Sequence, residues 1–216
     1  MEKVPIQNSY FLLCYAWNHL QETRYVNVRS EDCSKIWDLL AKVLIRSSQQ
    51  LTKRGLHRNY LVRKERRIRP KGKILFSERI RRPRFGSMQL ECEYDELDAN
   101  ILPNQIIAAT FSLLSHHSGL DRNIRIELID EIPFWERFDR IRLSANLFRR
   151  VQVHRNMKHY RFALKTCELI YSNFLPQRQS GENRFRDFLR DEASMGILFE
   201  QFVRNFYTKE QTRYRV

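Results

Sequence analysis

Apolar residues recur along this chain with two different periods. From Pro5 to about Gln21, Tyr10, Leu13, Cys14, Trp17 and Leu20 fall at three- and four-residue steps, the spacing that turns one face of a helix toward a core. Tyr10 and Trp17 at that spacing are expected to pack rather than to bind. Ser30 and Ser34, with Glu31 and Asp32, mark the start of a second helix. Its apolar face, Ile36, Leu39, Leu40, Val43 and Leu44, is expected to end in the polar run from Arg46 to Gln50. The helical period returns from about Leu102 to His116, with Pro103 acceptable in the first turn. Ile124, Leu128, Ile129 and Ile132 predict a further helix stopped by Pro133. Phe134 to Phe148 reads as a short helix plus irregular chain. Tyr160, Ala163, Leu164, Cys167, Ile170 and Phe174 predict a helix ending before Pro176. The polar stretch Gln177 to Asn183 reads as a boundary. After it, Met195, Leu198, Phe199, Phe202, Val203 and Phe206 predict a last helix, which either packs back on the earlier ones or opens a further domain.

Between the second and third helices the period shortens. Tyr60, Leu61 and Val62, then Ile74, Leu75 and Phe76, then Met88, Leu90 and Cys92 form short runs, punctuated by Gly55, Pro70, Gly72, Pro83 and Gly86. Proline and glycine break helical hydrogen bonding or raise its entropy cost, so strands and hairpins are favoured here. The fold class predicted is α+β and mainly helical, with a small β module inserted between helices.

Charge sharpens this picture. From Lys53 to Arg84 there are fourteen Lys or Arg against Glu65 and Glu78, a net +12 out of the formal +14 of all 216 residues. A local charge asks for a local partner, either a polyanion or an acidic protein surface. Five acids follow at once: Glu91, Glu93, Asp95, Glu96 and Asp98. They could form a metal or catalytic cluster. The simpler reading is that they offset the self-repulsion of the basic module, with Asp98 or Asn100 opening the next helix. Cys14, Cys33, Cys92 and Cys167 lie far apart without a C-x-x-C pair, as expected of reduced, buried thiols in the cytoplasm. No signal-peptide layout and no apolar run of about 20 residues is present, so no membrane association is expected.

Catalytic motifs are missing from the sequence. Gly72-Lys73 is followed by Ile74 rather than by the hydroxyl that a phosphate-binding loop uses to hold magnesium. No H-E-x-x-H, G-x-S-x-G or zinc-ligand spacing occurs. His116 and His117 are adjacent and would point about 100° apart on a helix, and His154 and His159 are five apart, so neither pair suits one metal. No Lys has an acid two residues before it, which removes the common nuclease pairing of metal-binding carboxylate and water-orienting amine. Neither catalytic nor metal-binding residues are expected.

Four segments in one order, VPIQNSYFLLCYAWNHL, IRPKGKILFSERI, YDELDANILPNQIIAATFSLL and MGILFEQFVRNFY, resemble the McrC family, the partner subunit of McrBC modification-dependent restriction systems. The resemblance spans essentially the whole chain. It implies an antiparallel helical stalk, 1–54 and 97–176, carrying the β module, 55–96, as a tip that enters the pore of a McrB-type AAA+ GTPase hexamer. It also implies that 177–216 is a linker and the opening helix of a PD-(D/E)xK nuclease core. The metal-binding carboxylates and Lys of that core would lie beyond the segment resembling LFEQFV. Glu200 matches only an accompanying helix acid, so no cleavage by this chain alone is expected. GTP and magnesium would belong to other parts of the complex. The cations expected to meet the partner are Arg66, Arg67, Arg69, Lys71, Lys73, Arg79, Arg81, Arg82 and Arg84. Arginine suits such a role because its planar fork binds carboxylates bidentately. The rival reading is direct DNA binding by the same stretch, with phosphates in place of carboxylates.

Overall fold

The computed structural model describes residues 6–17, 35–76, 89–174 and 192–211. Seven α-helices and one three-stranded antiparallel sheet are found among them. The chain divides into two compact units, Leu56–Ile101 and, around it in sequence, Met1–Gly55 with Leu102–Val216.

In the larger unit α1 spans Ile6–Ala16 and buries Tyr10, Leu13 and Cys14, the face its periodicity predicts. The expected helix start at Ser30 to Ser34 lies outside the described residues. Helix α2, Ile36–Arg54, runs well past the polar stretch at which the sequence reading ends it. The reason is that this stretch is polar only in side-chain name. Ser48 is buried with its hydroxyl donating to the carbonyl of Ile45 at 2.7 Å, Thr52 donates to that of Ser48 at 2.8 Å, and Leu51 closes the core face. Gly55 then stops the helix at φ +86°, where a side chain would be strained.

Helix α3, Leu102–Ser115, packs on α4, Arg122–Trp135, and on α6, Tyr160–Phe174, and both α4 and α6 pack against α2. Pro133 does not stop α4. It sits inside the last turn, where its missing N–H removes one hydrogen bond, and the helix carries on to bury Trp135 stacked on Phe111 with centroids 5.8 Å apart. Burying an indole outweighs one bond lost near a helix end. Polar side chains in this core fix the helices' mutual placement. Asp38 in the first turn of α2 accepts the backbone N–H of Asp121 at 2.9 Å, and Asp121 itself caps α4 through the N–H of Asn123. Tyr160 donates to the buried Asn104 at 2.9 Å.

A short helix α5, Ala145–Arg150, lies on α6 through Phe148 and Tyr171. Helix α7, Glu192–Glu210, packs on α1: Phe202 and Phe206 meet the ring of Tyr15 at 5.6 and 5.3 Å, and the amide of Asn205 donates to the last carbonyls of α1, on Tyr15 and Ala16. Those carbonyls have no partner within their own helix, so Asn205 ends α1 from outside. The linker reading of Gln177 to Asn183 falls outside the described residues.

Cys14, Cys92 and Cys167 are buried free thiols, and burial pushes Cys167 up to about 12. No described helix is long and apolar enough to cross a membrane. Trp135→Ala is expected to cost the larger unit about 3–5 kcal/mol through the cavity it leaves. Urea denaturation followed by far-ultraviolet circular dichroism measures it, and a cost under 1 kcal/mol would show that Trp135 does not hold α4 to α3.

Candidate partner-binding surface

The smaller unit is built on β1, Asn59–Arg67, paired antiparallel along its whole length with β3, Leu90–Asp98; β2, Lys73–Ile74, adds to the other edge of β3. The acids read as an offset to the basic run are therefore the central strand itself. Lys64 stands opposite Glu93 and bonds it at 2.9 Å, and Arg66 stands opposite Glu91 at the same distance. Arg63 bonds Asp98 and reaches Glu96 at 3.5 Å. Asp98 does not open the following helix: its carboxylate is held by Arg63 and by the backbone N–H of Asn100.

Register follows from the same charges. Glu65 of β1 faces Cys92, and a slip of one residue would set it against Glu91 or Glu93. Such a slip would also exchange the two faces of the sheet. Each exposed pair contributes under about 1 kcal/mol, so the ladder specifies alignment more than it adds stability.

On the inner face, Cys92 and Tyr94 are buried. The Tyr94 hydroxyl donates to Glu65 at 2.7 Å and accepts from Arg67 at 3.2 Å, while Arg67 also bonds Glu65 at 2.6 Å. The ammonium of Lys71 lies 3.8 Å from the centre of the Tyr94 ring. Gly72 lets the chain reach that position. Its φ is +69°, and a Cβ there would stand 2.5 Å from the Glu93 carbonyl oxygen and 2.6 Å from the Tyr94 Cβ. The hydrogen bond from Tyr94, with help from Arg67, holds the Glu65 carboxyl below its ordinary value, and that from Lys64 does the same for Glu93.

Five of the nine cations singled out from sequence are thus placed. Arg66, Arg67 and Lys71 are engaged within the module, and Lys73 faces Glu93 across the sheet. Arg69 is exposed and makes no ion pair among the described residues. Arg79, Arg81, Arg82 and Arg84 lie outside the described residues. Counted as a folded unit, Leu56–Ile101 holds twelve Lys or Arg against seven acids, a net of +5 rather than +12. What sequence reasoning missed is apolar. On the outer face Tyr60 stands opposite Leu97 with Val62 one step along, and these are 72%, 48% and 62% exposed. Ile68 and Phe76 are exposed as well. The signal was in the alternation, because Tyr60 and Val62 share a parity with Lys64 and Arg66, opposite to that of Arg63, Glu65 and Arg67. Among the described residues no group of three or more His, Cys, Asp or Glu could hold a metal, and Glu200 is exposed on α7. His116 bonds the Ser112 carbonyl while His117 packs on Trp37, so the two rings diverge.

Gly72→Ala is expected to destabilise the module by about 1–3 kcal/mol, from backbone strain and from collision with β3. Hydrogen exchange of the β3 amides measures this, and unchanged protection would remove Gly72 from the argument. Glu65, with its lowered folded value, contributes stability above the ordinary carboxylate range, which is lost as pH falls through that lowered value. Tyr94→Phe is expected to move the Glu65 midpoint upward in a carbon-13 NMR titration. A midpoint that stays in place would show that the hydroxyl is not what holds it.

Comparison with known proteins matches this architecture. Residues 9–216 match the family model described as McrBC 5-methylcytosine restriction system component. The type IV methyl-directed restriction enzyme EcoKMcrBC of Escherichia coli (strain K12) is 30% identical over 209 residues, which take in 97% of this chain and 60% of that relative. A chain of the Thermococcus gammatolerans McrBC complex shares the fold at a TM-score of 0.63 and 22% identity, covering 98% of this chain and 60% of that one. A second structure, a half-complex of Thermococcus gammatolerans McrB AAA+ hexamers with bound McrC, gives 0.63 and 17% identity, covering 97% of this chain and 49% of its counterpart. This chain thus spans about 60% of the curated relative's length. With its sequence matched from residue 9 to its last residue, the chain belongs to the McrBC 5-methylcytosine restriction system component family.

Proposed function

We propose that this chain is the ring-docking part of an McrC-like subunit. Its β module engages an McrB-type AAA+ GTPase ring and stimulates GTP hydrolysis, and the chain does not cleave DNA by itself. The observation that carries this reading is the outer face of the sheet: Tyr60, Val62 and Leu97 exposed beside the Lys64–Glu93 and Arg66–Glu91 pairs. An apolar centre with a polar border is how a protein-binding surface is built, and large aromatic anchors carry most of the affinity. The likeness to a chain of a structure whose contents include McrB hexamers with bound McrC supports the choice of partner.

In this mechanism the ladder supplies rigidity. A strand with its cations already paired presents its apolar side chains without first ordering itself, which lowers the entropy cost of docking. Contact then biases neighbouring ring subunits toward a hydrolysis-competent arrangement, with GTP and magnesium held by the ring. Among the cations, Arg69 is free to reach partner carboxylates, Lys73 follows it, and Arg66, Arg67 and Lys71 would have to exchange existing partners. Arg79, Arg81, Arg82 and Arg84 complete the set.

Adding the chain to an McrB-type GTPase is expected to accelerate GTP turnover. Substituting Tyr60→Ser with Val62→Ser should weaken binding by about 30-fold or more, as loss of a 2 kcal/mol anchor does, with the exposed positions leaving the fold intact. Neither complex formation nor acceleration with the native chain would defeat the proposal. Full stimulation by the double variant would move the docking surface elsewhere.

A further inference from the structure

The charge that the folded β module does not hold has to lie elsewhere, and much of it is in one stretch of the helical unit. From Arg137 to Arg161 there are eight Lys or Arg against a single acid, Asp139. Arg142, Arg149, Arg150, Arg155, Lys158 and Arg161 are all exposed. None of the six makes an ion pair or a side-chain hydrogen bond among the described residues, in contrast to the paired cations of β1.

The fold gathers them along α6. Phe148 of α5 packs on Tyr171 at 5.5 Å, which brings Arg149 and Arg150 to the later turns of α6; Arg142 and Tyr171 line the same cleft of about 760 Å³. Arg155, Lys158 and Arg161 lead into the other end of the helix. From Arg161 to Tyr171 is ten residues, about 15 Å of helix. The six exposed cations are thus spread from the start of α6 to its later turns, on either side of the Lys165–Glu168 pair, a span long enough to meet several successive phosphates. Local stability argues against this composition. No acid stands in the first turn of α6, where the helix dipole favours carboxylates; Arg161 stands there instead, with Lys158 just ahead of the helix.

We infer that this strip binds the phosphodiester backbone of DNA, independently of the β module. A protein partner fits less well, because no large hydrophobic side chain is exposed in this stretch, whereas surfaces that dock proteins have an apolar centre. Backbone contacts need only cations and carry no base preference. DNA rather than RNA is the polyanion indicated by the family's description as a 5-methylcytosine restriction component.

Fluorescence anisotropy of this chain with a labelled, unmodified DNA duplex, without any GTPase present, tests the inference. Six phosphate contacts predict an affinity that falls about 10³-fold between 50 and 200 mM salt. Combining Arg149→Gln, Arg150→Gln, Arg155→Gln and Lys158→Gln should flatten the slope of log K against log salt by about 3–4 units. Circular dichroism checks the fold of that variant. Replacing the same three arginines by Lys, with Lys158 kept, should leave the slope near its native value, since phosphate neutralisation asks for charge rather than for a fork. No binding at low salt would overturn the inference. So would an unchanged slope in the glutamine variant, or a glutamine variant that binds DNA normally but no longer binds an McrB-type ring.

Discussion

A β-strand that carries Arg63, Lys64, Arg66 and Arg67 within five residues repels itself unless a strand of opposite sign lies beside it. In this protein that strand is β3, with Glu91, Glu93, Glu96 and Asp98, and the pairing is made residue against residue over nine positions. The rest of the small unit depends on it. Once β3 is central, Gly72 must pass close over its backbone for β2 to join the other edge, and Lys71 is carried onto the Tyr94 ring. Tyr94 in turn collects Glu65 and Arg67, so the one acid within β1 is held beside a cation of its own strand and away from the acids of β3.

The helical unit solves a different problem, since its helices are apolar enough to pack in several ways. A few buried polar groups remove that freedom. Asp38 ties the first turn of α2 to the N-terminus of α4, Tyr160 ties α6 to α3 through Asn104, and Asn205 ties α7 to the end of α1. Each satisfies a group that would otherwise be buried or left at a helix end without a partner, so alternative packings lose a hydrogen bond as well as contact area.

The helices were legible wherever burial follows the helical period, as on the faces of α1 and α6. They were misread where a local rule met tertiary burial: Pro133 forbids a helix interior in isolation, yet Trp135 beyond it draws one more turn into the core. Ser48 looks like part of a helix end in sequence and lies buried within a helix, because its hydroxyl bonds the Ile45 carbonyl in the preceding turn. The strand assignments held for Tyr60 to Val62 and for Leu90 with Cys92. The extent of β3 was hidden, since acids are poor strand formers by propensity and only the facing cations make them suitable. The pairs Asp38–Asp121 and Asn205–Ala16 join residues 83 and 189 apart, and nothing local in the sequence announces them.

Net charge along a sequence is a poor guide to where a protein presents charge, because folding sorts cations by what it places next to them. The run with the highest linear density of Lys and Arg sits largely in a unit that contains its own acids. A less conspicuous run, Arg137 to Arg161, contains only one, Asp139, and among the described residues only Arg140 of its cations makes an ion pair, with Glu136. The difference in field is larger than the difference in composition: a paired cation is seen from solvent as a dipole, which falls off faster with distance than a lone charge and steers a ligand weakly. Apolar exposure runs the opposite way, being present on the sheet and absent from the strip beside α6. The two surfaces are therefore suited to different partners on physical grounds. An apolar, pre-ordered face rewards a shape that fits it, and an unpaired cationic strip rewards any regularly spaced anion.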